Sequence, residues 1–188
     1  MHDRQLIYCE EVLRFRKVLN LTSVKDIHVF YKTFITPSVM LGRWIEPNAI
    51  VLDIGSGMGV PGLPLLIDRD DIRGVLVERR KKRTEFIRHI IRKMKLAATA
   101  YDADINELEP LGATVCVARA VSNVGSLIKM CDKHIVFGGK AVLPVPDEAE
   151  LPHVVGWYLS EDFNPKHTQR VAVYTKLEDN DGGVSRET

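Results

Sequence analysis

The chain has 188 residues, enough for one ordinary domain with a sizeable core. Its hydrophobic content of 45% and charged content of 27% are typical of a globular protein, and its formal net charge of +1 excludes a polycation that binds nucleic acid through overall charge. Cys9, Cys116 and Cys131 are odd in number and form no CxxC pair, which argues against a disulfide scaffold. No apolar run approaches the roughly 18 residues of a membrane span, and the first residues lack the apolar segment of a signal peptide, so we expect a cytoplasmic protein without membrane contact.

The N-terminal part of the chain is predicted to be helical. Apolar residues at roughly helical spacing, set among charged ones, predict a helix over residues 4–19. After a break, a second helix, capped by Ser23 or Asp26, is expected to run to about Trp44. Pro37 marks the point where this second helix could break.

From Ala49 onward, strand and helix patterns alternate. Residues 49–54 form a short apolar run that is typical of a strand buried on both faces of a parallel sheet. Gly138-Gly139 is expected to turn the chain into a later strand, and Ser122 to cap a late helix. Further strands are predicted over residues 74–78, 98–101, 114–118, 140–143 and 169–175, and helices over 62–68, 81–96 and 123–132.

Alternating strands and helices imply a mostly parallel sheet with helices on both faces. We therefore expect a single α/β domain over residues 1–188, with no linker or internal repeat. It would consist of a helical N-terminal extension over 1–45, an α/β core over 46–178 and a polar tail over 179–188 that we expect to be disordered.

A glycine-rich turn follows the first predicted strand and reads Asp53-Ile54-Gly55-Ser56-Gly57-Met58-Gly59. Glycines let the chain turn sharply and let a ligand approach the backbone closely. In open α/β sheets, ligands bind at this carboxyl end of the strands. A dinucleotide fingerprint, GxGxxG, fails in both registers because Val60 and Leu63 stand where its last glycine is required, which disfavours a nicotinamide oxidoreductase.

Two acids accompany this turn. Asp53 begins the pattern and can favour the ammonium group of S-adenosylmethionine, directly or through water. Glu78 ends the second strand, where a carboxylate can accept both ribose hydroxyls of a nucleoside. Together these features predict a Rossmann-like fold that binds S-adenosylmethionine. The alternative is an ordinary α/β turn with a solvated glutamate.

Four segments carry a more specific resemblance. They are Asn20-Leu21-Thr22, the turn from Asp53 with its continuation Val60-Pro61-Gly62-Leu63-Pro64-Leu65, Lys82-Arg83 with Phe86-Ile87-Arg88, and Ala118-Arg119-Ala120-Val121. They resemble the glucose-inhibited division protein B family, the bacterial small-subunit ribosomal RNA guanine-N7 methyltransferases. The resemblance covers most of residues 15–145, and the stretch from Gly57 to Pro64 is much more specific than a generic glycine turn.

The resemblance implies a Rossmann-like class I S-adenosylmethionine-dependent methyltransferase fold, with ribosomal RNA or the small ribosomal subunit as partner. Arg119 would be the catalytic residue, close to the donor and the target base. The other implied donor-site positions are Gly55 and Val60 on the methionine side, Glu78 at the ribose and Ala103-Asp104 at the adenine, with Gly57 and Gly59 completing the turn.

The chain departs from the family pattern on the substrate side. Family members usually carry a His and an Asp-Ser in the second helix, whereas residues 32–38 here read Lys-Thr-Phe-Ile-Thr-Pro-Ser, with Thr33, Thr36 and Pro37 among them. The family's Lys-Gly after the fifth strand appears as Pro144-Val145. Two alternatives stay open: a methyltransferase for a small molecule or protein, and a diverged protein that binds RNA or donor without turnover.

The run from Arg79 to Arg83 is the strongest charge feature of the sequence. Lys82 and Arg83 stand at a predicted helix start, where positive charge opposes the helix dipole, so an anionic partner would explain them. With Arg88 they are the predicted RNA contacts, and a solvated helix face is the alternative.

The other polar candidates have plainer explanations. A salt bridge to a nearby acid is the alternative role for Arg119, and core packing is favoured over base stacking for Tyr31 and Phe34. The six histidines have no ligand spacing with each other or with cysteine, so we expect no metal site. The absence of a convincing acid–base pair agrees with guanine N7, which has a lone pair and no proton to remove.

Overall fold

A computed structural model describes residues 3–119, 123–164 and 169–178. The strands are β1 (Ile50–Ile54), β2 (Arg73–Val77), β3 (Ala98–Tyr101), β4 (Ala113–Val117), β5 (Ile135–Val145), β6 (Trp157–Phe163) and β7 (Arg170–Lys176). The α-helices are α1 (Asp3–Phe15), α2 (Ile27–Phe30), α3 (Thr36–Met40), α4 (Gly62–Asp68), α5 (Lys81–Met94) and α6 (Val124–Cys131).

These strands form one sheet in the order β3-β2-β1-β4-β5-β7-β6. Strands β1 to β5 pair in parallel, while β7 runs antiparallel between β5 and β6. The strand order reverses between β1 and β4, so their carboxyl ends form the switch point where ligands bind in open α/β sheets. The predicted mostly parallel sheet is confirmed.

Helices cover both faces of the sheet, as predicted. On β1, Val51 belongs to a buried cluster with residues of α1, α4 and α5, whereas the next residue, Leu52, belongs to a second cluster with α6. Successive residues of a strand point to opposite faces, so a strand buried on both sides must be apolar throughout. The run at 49–54 has this composition because it lies at the centre of the sheet.

On the β5 side of the sheet one predicted turn is wrong and one strand was missed. Gly138-Gly139 does not form a turn before the fifth strand but lies inside β5, where the pairing with β4 shifts register between Ala113 and Val115. Gly138 has a φ of +74°, which a bulge accommodates at glycine. Strand β6 was not predicted because its side chains do not alternate clearly between buried and exposed.

The second predicted helix is continuous but changes its winding. It passes from α2 through a π-helical turn (Tyr31–Ile35) into α3 and ends as a 3₁₀ turn (Leu41–Trp44). Asp26 is its N-cap, because Oδ1 accepts a hydrogen bond from the backbone N–H of Val29 at 2.9 Å. The helix does not end at Pro37.

The start of α6 bears on the predicted cap at Ser122. Ser122 lies outside the described residues, and Asn123 caps α6 by accepting a hydrogen bond from the backbone N–H of Ser126 at 2.8 Å.

The predicted tail, residues 179–188, also lies outside the described residues. In the described ranges no helix is long and apolar enough to cross a membrane.

Helix α1 fastens the N-terminal extension to the glycine turn and the helix behind it. Its buried face includes Gln5, Tyr8, Cys9 and Val12. The Tyr8 hydroxyl donates to the Met58 carbonyl at 2.9 Å, and Gln5 Nε2 donates to the carbonyl of Pro64 at 2.8 Å. The extension therefore packs directly behind the turn after β1.

Candidate active site

The glycine turn begins where β1 ends. Gly55 and Gly57 have φ values of +69° and +59°, in the left-handed region that favours glycine. The backbone N–H groups of Gly55 and Ser56 donate to the carbonyl of Val77 at 2.9 and 3.1 Å, which ties the turn to the end of β2. A Cβ atom at Gly55 would meet nothing within 4 Å, so open space adjoins the backbone there.

Glu78 is held rigidly beside this turn. Its Oε2 accepts from the backbone N–H of Gly57 at 2.9 Å, and its Oε1 accepts from that of Arg80 at 2.8 Å. The side chain of Thr84 donates to the Glu78 carbonyl at 2.9 Å. A carboxylate has about four lone-pair sites, so both oxygens keep capacity for the hydroxyls of a ribose.

A cavity of about 410 Å³ opens in front of Glu78, and we call it the donor pocket. Four residues predicted to bind the donor line it: Gly55, Glu78, Ala103 and Asp104. Its other lining residues are Ile54, Val77, Arg79, Arg80, Arg83, Ile105, Asn106 and Met130. The volume lies in the range of small-molecule sites, and apolar walls beside the fixed carboxylate of Glu78 fit an adenosine group.

Asp104 also has a structural role in this pocket. Its Oδ1 accepts from the backbone N–H and the side-chain amide of Asn106 at 3.0 and 2.9 Å, which caps a 3₁₀ turn over Ile105–Glu107. These hydrogen bonds, the backbone one first, hold the pKa of Asp104 below its ordinary value. Its contact with adenine stays a prediction.

Asp53 lies beneath the turn and not among the residues that line the donor pocket. Its side chain is completely buried, and Oδ2 accepts from the backbone N–H of Gly62 at 3.0 Å. Its Oδ1 is buried without a hydrogen-bond partner in the described structure. Burial raises the pKa of this carboxyl to about 7. The predicted contact with the donor's ammonium group therefore stays a prediction.

Gly59 and Val60 lie on the core side of the turn. A Cβ atom on Gly59 would stand 2.2 Å from Cδ1 of Leu63, and the φ of Gly59 is +95°. Val60 is buried in the cluster that includes α1 and α5. Both residues shape the turn, and their contact with the donor stays a prediction.

A second cavity, of about 560 Å³, lies at the carboxyl ends of β4 and β5, and we call it the acceptor pocket. Its lining residues are Thr33, Phe34, Pro37, Ser38, Leu41, Pro61, Arg119, Pro144, Val145, Pro146 and Gln169. Thr33, Pro37 and Pro144, at which the chain departs from the family pattern, are therefore neighbours in space. The fourth departure, Thr36, is exposed and outside this lining.

Arg119 follows β4 and lines the acceptor pocket. The alternative role, a salt bridge, is not seen among the described residues; the Arg119 guanidinium instead lies over the ring of Phe34, with Cζ 4.0 Å from the ring centre. Partial burial lowers the pKa of Arg119, and the neighbouring Tyr8 opposes that shift. The pKa of an arginine lies so far above neutrality that the side chain stays a cation.

The three predicted RNA contacts have different surroundings. Arg83 lines the donor pocket, and its Nη2 donates to the carbonyl of Asn20 at 2.6 Å. Arg88 donates to the carbonyl of Ala100 from Nε and Nη2 at 3.2 and 3.0 Å and to Glu85 at 2.6 Å. Lys82 is exposed at the start of α5. Their contact with RNA stays a prediction.

Sequence reasoning missed three features of this region. It did not place Arg83 in the donor pocket, Tyr8 behind the glycine turn, or Phe34 under Arg119. The sequence placed Arg83 at a helix start beside the glycine turn, but neither that position nor the apolar spacing of the helices shows what a side chain contacts. In residues 3–119, 123–164 and 169–178, no group of three or more His, Cys, Asp or Glu side chains could hold a metal ion.

The strand order, the glycine turn after β1 and the carboxylate after β2 define a Rossmann-like class I methyltransferase fold. A putative methyltransferase from Escherichia coli has the same fold with a TM-score of 0.63, at 14% identity over 76% of this chain and 86% of that one. A methyltransferase from Thiobacillus denitrificans in complex with S-adenosyl-L-homocysteine gives a TM-score of 0.53, at 21% identity over 62% of this chain and 50% of that one.

The chain belongs to the GidB family, rRNA small subunit methyltransferase G, whose model matches residues 1–144. It is 26% identical over 182 residues to ribosomal RNA small subunit methyltransferase G of Ruegeria pomeroyi, covering 93% of this chain and 89% of the relative. The enzyme of the same name from Rhodopirellula baltica is 34% identical over 66% of this chain, which spans 53% of that relative. The resemblance carried by the glycine turn and the Arg119 segment is confirmed.

Proposed function

We propose that this protein uses S-adenosylmethionine to methylate guanine N7 in the RNA of the small ribosomal subunit. The observation that carries the proposal is the acceptor pocket, where Arg119 contributes a guanidinium group, a cation that donates hydrogen bonds and does not take up a proton. An acceptor N–H or O–H would need a base to take its proton, whereas guanine N7 offers a lone pair and releases no proton. Family membership supports ribosomal RNA as the source of the guanine.

The two pockets lie at the two halves of one sheet edge and would bind different molecules, the methyl donor in one and the acceptor base in the other. Glu78 and the glycine turn would hold the nucleoside at the ends of β1 to β3. Arg119 and the apolar walls would hold the base at the ends of β4 and β5. When bound, S-adenosylmethionine supplies a methyl group already activated by its sulfonium sulfur. The side chains therefore need only align the base with that methyl group and exclude water, and alignment can supply much of the rate enhancement.

The acceptor base must enter the acceptor pocket. Bases in a duplex are stacked and paired, so we infer that the target guanine is unpaired or flipped out of its helix. Lys82 at the exposed start of α5 would contact the flanking phosphates. We further infer that the protein acts as a monomer, on ribosomal RNA or on the assembled subunit. We also infer that it acts in the cytoplasm, and its three free, buried cysteines agree with such a reducing compartment.

The test is transfer of a labelled methyl group from S-adenosylmethionine to small ribosomal subunits, to the naked small-subunit RNA and, as a control, to large-subunit RNA. We expect label at N7 of a guanine in the small-subunit RNA alone. Label on another atom, on another RNA or on protein would refute the proposal. Calorimetry with S-adenosylhomocysteine and NAD tests the donor separately, because only S-adenosylhomocysteine should bind.

A further inference from the structure

Phe34 lies in the wall of the acceptor pocket, under the guanidinium group of Arg119. The centre of its ring is 4.0 Å from the Cζ atom of Arg119, and both side chains line the cavity. The ring also lies 4.7 Å from the ring of Phe30, centre to centre, so the core supports it from another side. Core packing, favoured from the sequence, is therefore one of two contacts that this side chain makes.

The backbone that carries Phe34 has an unusual helical conformation. Phe34 stands in the π-helical turn Tyr31–Ile35, where the N–H of Thr36 donates to the carbonyl of Tyr31, five residues back. Pro37 gives a physical reason for the wide turn, because it lacks an N–H and its ring would clash with the carbonyl of Thr33 in a regular α-helix. The extra residue in the turn changes the direction of its side chains relative to the flanking helices. Turns of this kind occur frequently at functional sites.

The Phe34 ring is the contact that the described residues provide for the Arg119 guanidinium, and no ion pair or hydrogen bond of this side chain is seen among those residues. A long arginine side chain has many rotamers, and something must select one for a precise role. An acidic partner would occupy the N–H donors and cancel the charge. An aromatic ring attracts the cation through its face and leaves the five N–H groups free for another acceptor.

We infer that Phe34 is the positioning residue for Arg119. Its ring holds the guanidinium at the wall of the acceptor pocket and leaves the N–H donors available to the acceptor base. This inference rests on the proposed function for its role in turnover, but the position of Arg119 can be measured without RNA. The experiment below uses both readouts for that reason.

The first readout is the Nε–Hε resonance of Arg119 in the complex with S-adenosylhomocysteine, assigned by its loss in Arg119→Lys. The ring current of Phe34 should shift this resonance upfield, and Phe34→Leu should return it to the position of a mobile arginine. Phe163→Leu is the matched control, because it removes a similar ring 4.4 Å from Arg43, and Phe163 lines neither pocket. An unshifted resonance in the wild type would overturn the inference.

The second readout is methyl transfer to small-subunit RNA. Phe34→Leu should lower kcat about tenfold, leave the KM for the donor within about twofold, and be rescued by Phe34→Tyr. In an Arg119→Ala background, Phe34→Leu should cause no further loss, because the two residues act as a unit. An equal loss in both backgrounds would show that Phe34 acts by packing alone. If the wild type methylates no RNA while the resonance is shifted, the proposed function fails and the placement of Arg119 stands.

Discussion

The donor pocket and the acceptor pocket lie at the same edge of one sheet but are built in different ways. The donor pocket is formed largely by backbone geometry: left-handed glycines, and a Glu78 carboxylate held by the N–H groups of Gly57 and Arg80. The acceptor pocket is formed by side chains from distant segments, with Arg119 resting on the Phe34 ring as its one charged group among the described lining residues.

This difference affects which amino-acid substitutions each pocket can accept. A glycine turn tolerates few substitutions, because a side chain there takes a strained, positive φ and, at Gly59, also meets a close neighbour. A wall of apolar side chains can be exchanged one residue at a time while the fold persists. Three of the four departures from the family pattern lie in that wall, and the donor turn keeps the family's motif. The predictions below test this division, beginning with the largest effect.

The glycine turn should respond to alanine very differently at its two ends. Gly59→Ala should lower the free energy of unfolding by about 2–4 kcal/mol, because φ is +95° and the new methyl group would stand 2.2 Å from Leu63 Cδ1. Gly55→Ala meets open space, so it should cost only about 1 kcal/mol for its positive φ but weaken donor binding. Urea unfolding and titration with S-adenosylhomocysteine measure the two effects. Equal destabilisation by both variants would contradict the assignment of Gly59 to packing.

Arg119→Ala should lower kcat for RNA methylation about a hundredfold, the scale expected when a reacting group is misplaced by about 1 Å. RNA affinity should change by only a few-fold, since one contact among many is lost. Arg43→Ala is the control, because Arg43 also lies over aromatic rings but lines neither pocket. Steady-state kinetics and filter binding give the comparison, and normal turnover would assign Arg119 a structural role only.

Glu78→Ala should weaken S-adenosylhomocysteine binding by roughly ten- to a hundredfold, because hydrogen bonds to a charged group contribute ~1.5–3 kcal/mol. Part of that loss will come from the turn, since Gly57 N–H then lacks its acceptor. Glu78→Gln retains one acceptor oxygen, so its affinity for S-adenosylhomocysteine should lie between those of the wild type and Glu78→Ala. Calorimetry gives the affinities, with the exposed Glu10→Ala as control. Unchanged affinity in Glu78→Ala would remove this residue from the donor site.

The buried carboxyl of Asp53 should make stability depend on pH. Its pKa is raised to about 7 in the folded chain from 3.8, so the folded state binds the extra proton between those values. Stability should therefore decline as pH rises from about 4 to about 7, by at most about 1.4 kcal/mol per pH unit. Asp53→Asn should flatten this part of the profile, as measured by urea unfolding across the pH range. If the donor's ammonium group acts on Asp53, donor binding at pH 6 should also release a proton that the variant does not release.

The sequence predicted the donor pocket from short motifs at the ends of neighbouring strands. The turn from Asp53 to Gly59 and the acid at the end of the second strand predicted the donor pocket, because parallel strands bring their carboxyl ends to one edge. The acceptor pocket depends on segments more than 100 residues apart, such as Thr33 and Pro144, which meet only in the folded chain. The direction of Phe34 depends on a π-helical turn, which apolar periodicity does not reveal. Strand β6 escaped prediction for a related reason, since its burial follows no regular alternation.

The smallest expected effect concerns RNA phosphate. Arg83 and Arg88 have hydrogen-bond partners within the protein, whereas Lys82 is exposed at the start of α5. If all three touched phosphate, replacing them by Gln would flatten the log–log salt dependence of RNA affinity by about two units, at roughly 0.7 per contact. Given their contacts in the structure, we expect Lys82→Gln alone to account for about 0.7 and Arg88→Gln for less.

Lys129→Gln on α6 is the matched control for this titration, because α6 covers the opposite face of the sheet from α5. It should leave the salt slope unchanged, and Lys82→Gln should leave the affinity for S-adenosylhomocysteine unchanged, because only a polyanion requires that charge. A slope for Lys82→Gln that coincides with the wild type would mean that this helix face is only solvated. RNA would then have to be held by the acceptor pocket itself, and affinity should depend on the unpaired base more than on salt.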